Sequence, residues 1–338
     1  MTKDERREQI RKLEKLRESR IIAYLTGDRG IASTPIADDV LRIVYDHLTA
    51  IGQVDHIDLL IYSRGGDAML PWPLVNTIRS FCKRFCVLVP FRAHSAATLI
   101  GLGADEIVMT PIAQLTPVEP TITMPFNPAD PTNPGRQLGI NVEDVAAFMA
   151  FVRERGEIES EAGRTQAVTL LAQQVHPIAL GNLHRAHRLA KQQAEKLLGL
   201  HMDASAQHGQ IAEIVDNVVS KLWAHEYKIG RREARELGLK AVDADAELDA
   251  ALWKLFQDYE SAMELRKPIN PVTAFQPGEA KATLQNLALA YVESLEQTDA
   301  YRFDLELSRP IAPTPPGQPQ QFGPQVQVTI TRQEWVQE

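Results

Sequence analysis

Two apolar runs, each ending in an unusual turn, constrain this chain more than any other feature. Ile57-Asp58-Leu59-Leu60-Ile61-Tyr62 closes on Ser63-Arg64-Gly65-Gly66-Asp67. Cys86-Val87-Leu88-Val89-Pro90-Phe91 leads into Ala93-His94-Ser95-Ala96-Ala97-Thr98. Short, almost uniformly apolar runs suit strands of a parallel sheet, which is covered on both faces. Between them the pattern predicts a helix from about Ala68 to Phe81, with Pro71 and Pro73 tolerated in its first turn. A helix-like Leu99 to Ala104 and a short strand, Glu106 to Met109, follow. This βαβαβ order predicts an α/β fold with both turns at the carboxyl ends of parallel strands, where open sheets of this kind hold ligands.

The flanking sequence extends the scheme. Ile10, Leu13 and Leu16 form a thin apolar stripe on a charged helix over residues 4–18. Acids among its basic residues favour packing on the body or on a neighbouring subunit over a membrane-surface role. Arg20 to Leu25 reads as a first strand, and Ile36 to Ile51 carries helical spacing. Pro111 to Pro134 is a long proline-rich loop, a type usually functional or mobile. Helices are expected near Val142–Glu157, His176–Leu198, Ile211–Trp223, Arg231–Leu239 and Asp245–Leu265. Leu284 to Leu295 fits helix or strand, and its Ala and Leu content favours helix. Arg302 to Leu307 alternates like a strand, Arg309 to Pro324 reads as a linker, and Val326, Val328 and Ile330 suggest a terminal strand. The expected division is an N-terminal helix (1–19), a main domain (20–265), an extension packed on the core (266–308) and a proline-rich tail (309–338).

Composition then narrows the function. The formal charge of −8 lacks the basic footprint of a general nucleic-acid binder. The longest apolar runs fall far short of the roughly 20 residues of a membrane helix, so no transmembrane segment is expected. Met1-Thr2-Lys3-Asp4-Glu5-Arg6-Arg7 lacks the apolar centre of a signal peptide, and the chain reads as cytoplasmic. Cys82 and Cys86, placed across a helix end and a strand start, read as buried thiols, not as a disulfide or metal site. No metal or cofactor is expected.

The chemistry concentrates at the two turns. Paired glycines after a buried strand allow positive φ and a close backbone approach, so Gly65 and Gly66 fit an oxyanion-binding turn or a plain tight turn. Ser95 lies between a strand and a helix among small residues, as a nucleophile or an N-cap would. A nucleophilic serine needs a base within hydrogen-bond reach. His176, just before a long helix, ranks first, since neutral imidazole accepts a proton near pH 7; a helix-capping role is its alternative. Lys191 serves only if burial lowers its pKa. His94, His225 and Glu119 are further base or orienting candidates, whereas His184 and His187 read as packing or surface residues.

Taken together and in order, these motifs resemble a known family. Ser63-Arg64-Gly65-Gly66-Asp67, then His94-Ser95-Ala96-Ala97-Thr98 and Ala104-Asp105-Glu106-Ile107-Val108-Met109, look like the Clp/crotonase superfamily. Within it, Thr116-Pro117-Val118-Glu119-Pro120 and Val175-His176-Pro177 are most similar to the serine dehydrogenase proteinase (SDH) family, related to signal peptide peptidase A. The resemblance implies a spiral of ββα units with additional C-terminal helices, Ser95 as nucleophile, Gly65 and Gly66 amides as oxyanion hole, a peptide or protein substrate, and a homo-oligomer. The base stays open. Where the Clp proteolytic subunit has its histidine, this chain has Glu119-Pro120-Thr121, and no lysine occurs between Lys83 and Lys191. A serine peptidase is therefore weighed against a vestigial oligomeric scaffold or peptide binder, and against crotonase-type acyl-CoA chemistry, which leaves the Ser-Ala-Ala-Thr turn unexplained.

Overall fold

A single eight-stranded sheet carries the fold, in the order Ala241–Asp243, Glu106–Met109, Cys82–Val89, Val54–Tyr62, Arg20–Thr26, Lys281–Glu293, Thr298–Ser308 and Gln327–Gln337. The computed structural model describes residues 2–221, 227–267, 269–310, 322–323 and 325–338. The first five strands are mutually parallel, and the last three run antiparallel. The α/β class expected from the sequence holds.

Alternation along the strands sorts the core into two layers. Ile22, Tyr24, Ile57, Leu59 and Ile61 face a cluster that includes residues of helices Val40–Ile51, Pro71–Arg79, Ala96–Leu102 and Pro177–Leu198. Ile21, Ala23, Leu60, Tyr62 and Leu88 face the other way, onto helices Lys3–Arg17 and Ala246–Ala262. The N-terminal helix thus packs on the body: Ile10 and Leu13 are fully buried. So is Arg6, whose guanidinium bonds Glu293 at 2.7 Å and lies 5.3 and 4.9 Å from the rings of Tyr259 and Tyr291. Tyr259 and Thr298 donate to the same carboxylate at 2.7 and 3.0 Å, so a fully buried charge has both oxygens satisfied.

Several expectations are corrected. Lys281–Glu293 is a strand, not a helix, because it pairs on one side with Arg20–Thr26 and on the other with Thr298–Ser308, and this pairing overrides its helix-favouring composition. Cys82 and Cys86, expected across a helix end and a strand start, lie in the same strand, and Cys82 is only partly buried; both are free thiols, as the sequence suggested. The proline-rich loop contains short strand pairs such as Ala129–Asp130 with Asn133–Gln137. An additional helix, Glu161–Gln174, fills a gap in the sequence reading. The terminal strand is longer than its alternating residues suggested, Gln327–Gln337.

One buried ion pair fastens the N-terminal helix to the sheet. Asp58, fully buried, accepts from Arg17 Nε at 2.9 Å and from Ser19 Oγ at 2.7 Å. Burial alone would raise the Asp58 pKa; the neighbouring His56 and Arg17 outweigh it and hold the carboxyl below its usual range. The stabilisation is present above the ordinary carboxylate pKa and is lost as pH falls through the lowered value. Replacing Asp58 by Asn leaves Arg17 uncompensated and is expected to cost about 3–5 kcal/mol in urea unfolding at neutral pH, with the gap to wild type narrowing on acidification.

Candidate active site

The two turns meet beyond the carboxyl ends of the parallel strands. Parallel pairing continues past the sheet through a bridge between Ser63 and Ala93: Ser63 N donates to Arg92 O at 2.9 Å, and His94 N to Ser63 O at 3.1 Å. A second bridge joins Ile36 to Gly66, with Ile36 N donating to Gly65 O at 2.9 Å and Asp67 N to Ile36 O at 2.8 Å. These bonds leave the intervening Gly66 N–H without a partner among the described residues.

Glycine is required at both positions for steric reasons. At Gly65, with φ +102°, a Cβ would fall 2.8 Å from both the His94 carbonyl oxygen and Ser95 Cβ. At Gly66 it would overlap the Ile36 backbone. The glycine turn therefore lies directly against Ser95. The Gly65 N–H is itself occupied: it donates to Ser63 Oγ at 3.0 Å, and that hydroxyl also accepts from Thr26 at 2.8 Å.

Ser95 is half-buried, with φ 51° and ψ −110°, a backbone conformation that non-glycine residues rarely adopt. It precedes helix Ala96–Leu102, yet its side chain makes no capping hydrogen bond. The turn is held by threonines instead. Thr116 Oγ1 accepts from Ser95 N at 2.9 Å, and Thr98 Oγ1, fully buried, lies within hydrogen-bond distance of Ala93 O (2.8 Å) and Thr116 O (2.9 Å). A strained serine presented between strand and helix is the arrangement by which nucleophile elbows expose a hydroxyl.

Charge gathers beside the glycine turn. Asp28 accepts from Arg64 Nε at 2.7 Å, Arg92 Nη1 at 2.8 Å and Tyr62 OH at 3.2 Å. Burial, with Asp28 adding to it, pushes the Tyr62 hydroxyl up to about 12, so it stays protonated and able to donate.

The other sequence candidates fall in different places. His176 is exposed and acts as the N-cap of helix Pro177–Leu198: its Nδ1 accepts from Ile178 N at 3.2 Å, and its ring stacks on Phe126 at 4.9 Å. That helix reaches the body near its far end, where Leu197 lies against Gly103; at 1.5 Å per residue this contact is roughly 30 Å along the axis from His176. No described contact brings His176 to Ser95. Lys191 is about a third exposed and pairs with Asp216 at 3.3 Å, tying two helices together. His94 and Glu119 are both buried, at 5% exposure each; one adjoins Ser95 and the other follows Thr116 by three positions. His225 lies outside the described residues. Thr116, Thr98 and Ser63 went unassigned in the sequence, and the only signal for Thr116 was its place at the head of the Thr-Pro-Val-Glu-Pro segment.

Residues 1–132 match the family described as ClpP-like SDH-type serine proteinases. Over that segment, the chain is similar to this family. The match contains both turns and their supporting threonines. The chain is also similar to two uncharacterized proteins of Methanocaldococcus jannaschii, MJ1495 and MJ0137, each at 23% identity. The first similarity spans 75% of this chain and 76% of the relative; the second spans 76% and 79%. Among solved structures, ClpP1 from Listeria monocytogenes is 13% identical, with 70% of this chain and 98% of that chain covered, at a TM-score of 0.36.

Thr116 offers a direct test of how the elbow is held. Thr116→Val keeps the shape but removes the acceptor for the Ser95 amide, and a buried unpaired donor costs about 1–3 kcal/mol. Urea unfolding should register that loss, with Thr116→Ser restoring most of it.

Proposed function

We propose that this chain hydrolyses peptide bonds, with Ser95 as nucleophile. The contact of Gly65 with a strained, uncapped Ser95 carries this reading. Ser95 Oγ attacks the scissile carbonyl carbon. The negative charge that develops on oxygen is met by the Gly66 N–H, which has no partner among the described residues, together with the Ala96 N–H that opens the following helix 3.3 Å from where a Gly65 Cβ would lie. One such donor contributes about 3 kcal/mol to the transition state. Gly65 gives the close approach, and its own N–H positions Ser63. The Ser95 proton passes to a base and then to the leaving amine, and water releases the acyl group.

The base is assigned to His94, which adjoins Ser95, or to Glu119, three positions after the Thr116 that accepts from the Ser95 amide, rather than to His176 at the exposed start of helix Pro177–Leu198 or to the partly exposed Lys191. A fluorophosphonate probe tests both parts. Labelling is expected on wild type, absent in Ser95→Ala, retained in His176→Ala, and reduced at least tenfold in His94→Gln or Glu119→Gln. Labelling unchanged in both of the last variants, but lost in His225→Gln, would move the base to His225. A folded wild type that resists labelling and cleaves no peptide would instead favour the vestigial scaffold.

Self-association is part of the same reading. Helices Val142–Glu154 and Glu161–Gln174 each bury one residue, Val152 and Ala167, and leave Phe151, Val168 and Leu170 exposed at 62%, 49% and 53%. An apolar surface of this kind suits contact with further copies of the chain. Native mass spectrometry should find an oligomer that Phe151→Asp shifts toward smaller species; a monomeric wild type at micromolar concentration would reject this assignment.

A further inference from the structure

At the opposite ends of the same strands, three different metal-ligand types converge. His56 and Asp58 alternate onto one face of strand Val54–Tyr62, and Cys86 pairs with Asp58 from the neighbouring strand. One donor atom from each, a His56 ring nitrogen, an Asp58 carboxylate oxygen and Cys86 Sγ, lies within 4.8 Å of the others. Asp58 and Cys86 are fully buried, and the His56 side chain is only 10% exposed.

Among the described residues, the buried His56 Nε2 has no hydrogen-bond partner. It lies 3.0 Å from Asp58 Oδ1 without the alignment of a hydrogen bond. A buried polar nitrogen without a bond needs an explanation, and one directed into a cluster with a carboxylate and a thiol fits a coordinating role. Thiolate, imidazole and carboxylate together match a four-coordinate borderline-soft divalent ion such as zinc, with water or another exogenous ligand in the fourth position.

We propose that His56, Asp58 and Cys86 form a binding site for a zinc-class divalent cation. It is separate from the serine site: Asp58 lies five positions before Ser63 along the strand, roughly 16 Å at the usual rise. Arg17 and Ser19 hold the outer Asp58 oxygen at 2.9 and 2.7 Å, as groups behind a ligating carboxylate do. The Arg17 Nη2 contact to Oδ1, at 3.3 Å, is the one a metal would weaken. Beside Cys86, the Arg84 guanidinium hydrogen-bonds the Cys86 sulfur and also pairs with Glu106 at 2.6 Å, so a metal-bound thiolate would keep a cationic hydrogen-bond donor at its side. Half-exposed Arg84 and the edge of His56 mark the route in from solvent.

Binding replaces the S–H bond of Cys86 by a metal–sulfur bond and releases the proton to solvent. Because binding displaces that proton, apparent affinity should rise with pH.

Cobalt(II) added to the metal-free full-length protein is the test. The expected result is one ion per chain, with thiolate-to-cobalt charge-transfer absorption in the near ultraviolet and visible bands of tetrahedral intensity, both erased by zinc. Cys86→Ser and His56→Ala should lose the charge-transfer band or weaken binding at least tenfold, while Cys82→Ser keeps it. Circular dichroism and thermal unfolding of the metal-free variants establish that they fold, and cobalt should raise the Tm of wild type but not of Cys86→Ser. Absence of the band in wild type, or its persistence in Cys86→Ser, would overturn the site.

Discussion

Two backbone bridges outside the main sheet hold the candidate site together. Ser63 with Ala93, and Ile36 with Gly66, continue parallel pairing past the point where the strands end. Without them the glycine turn and the serine turn would be two independent loops on the carboxyl edge. With them, the peptide planes around Gly65 and Ser95 are fixed against each other at van der Waals contact. The identity of the residues follows from that constraint: no side chain fits at Gly65 or Gly66, and Ser95 must adopt a positive φ. The threonines then satisfy the backbone groups that this geometry would otherwise strand.

The rest of the molecule holds this edge in place. The parallel strands are buried on both faces, and the layer of helices Lys3–Arg17 and Ala246–Ala262 is tied down by charges that are individually costly to bury. Arg6 with Glu293, and Arg17 with Asp58, are tolerated because nearly every oxygen has a donor and the Arg6 guanidinium also lies on aromatic faces. His47, fully buried between Ser294 at 2.8 Å and Asp299 at 3.0 Å, does the same for the turn joining Lys281–Glu293 to Thr298–Ser308. Partners so distant in sequence form only when the sheet is complete.

What the sequence disclosed follows from which interactions are local. Ile57–Tyr62 and Glu106–Met109 were legible because a strand covered on both faces must be apolar along its length. Helix Glu161–Gln174 was not, because its apolar residues are spread around the axis and Val168 and Leu170 face outward, so no stripe exists to read. Lys281–Glu293 was misread because Ala and Leu report local preference, while neighbouring strands decided its state. At the site, Gly65, Gly66 and Ser95 were visible as turn chemistry. The roles of Ser63, Thr98 and Thr116 depend on where chain segments cross and leave no local signature. His176 illustrates the converse: its residue type suited a base, and its position before a proline-initiated helix made it a cap.

The sparse burial of helices Val142–Glu154 and Glu161–Gln174 has a consequence for how the molecule opens. Each has one buried side chain, so within a single chain little apolar area resists their separation from the body. Their amide protons should exchange with solvent through low-energy local openings, while those of Val54–Tyr62 wait for the whole sheet to come apart. The two regions sit on one polypeptide but on separate rungs of the free-energy ladder.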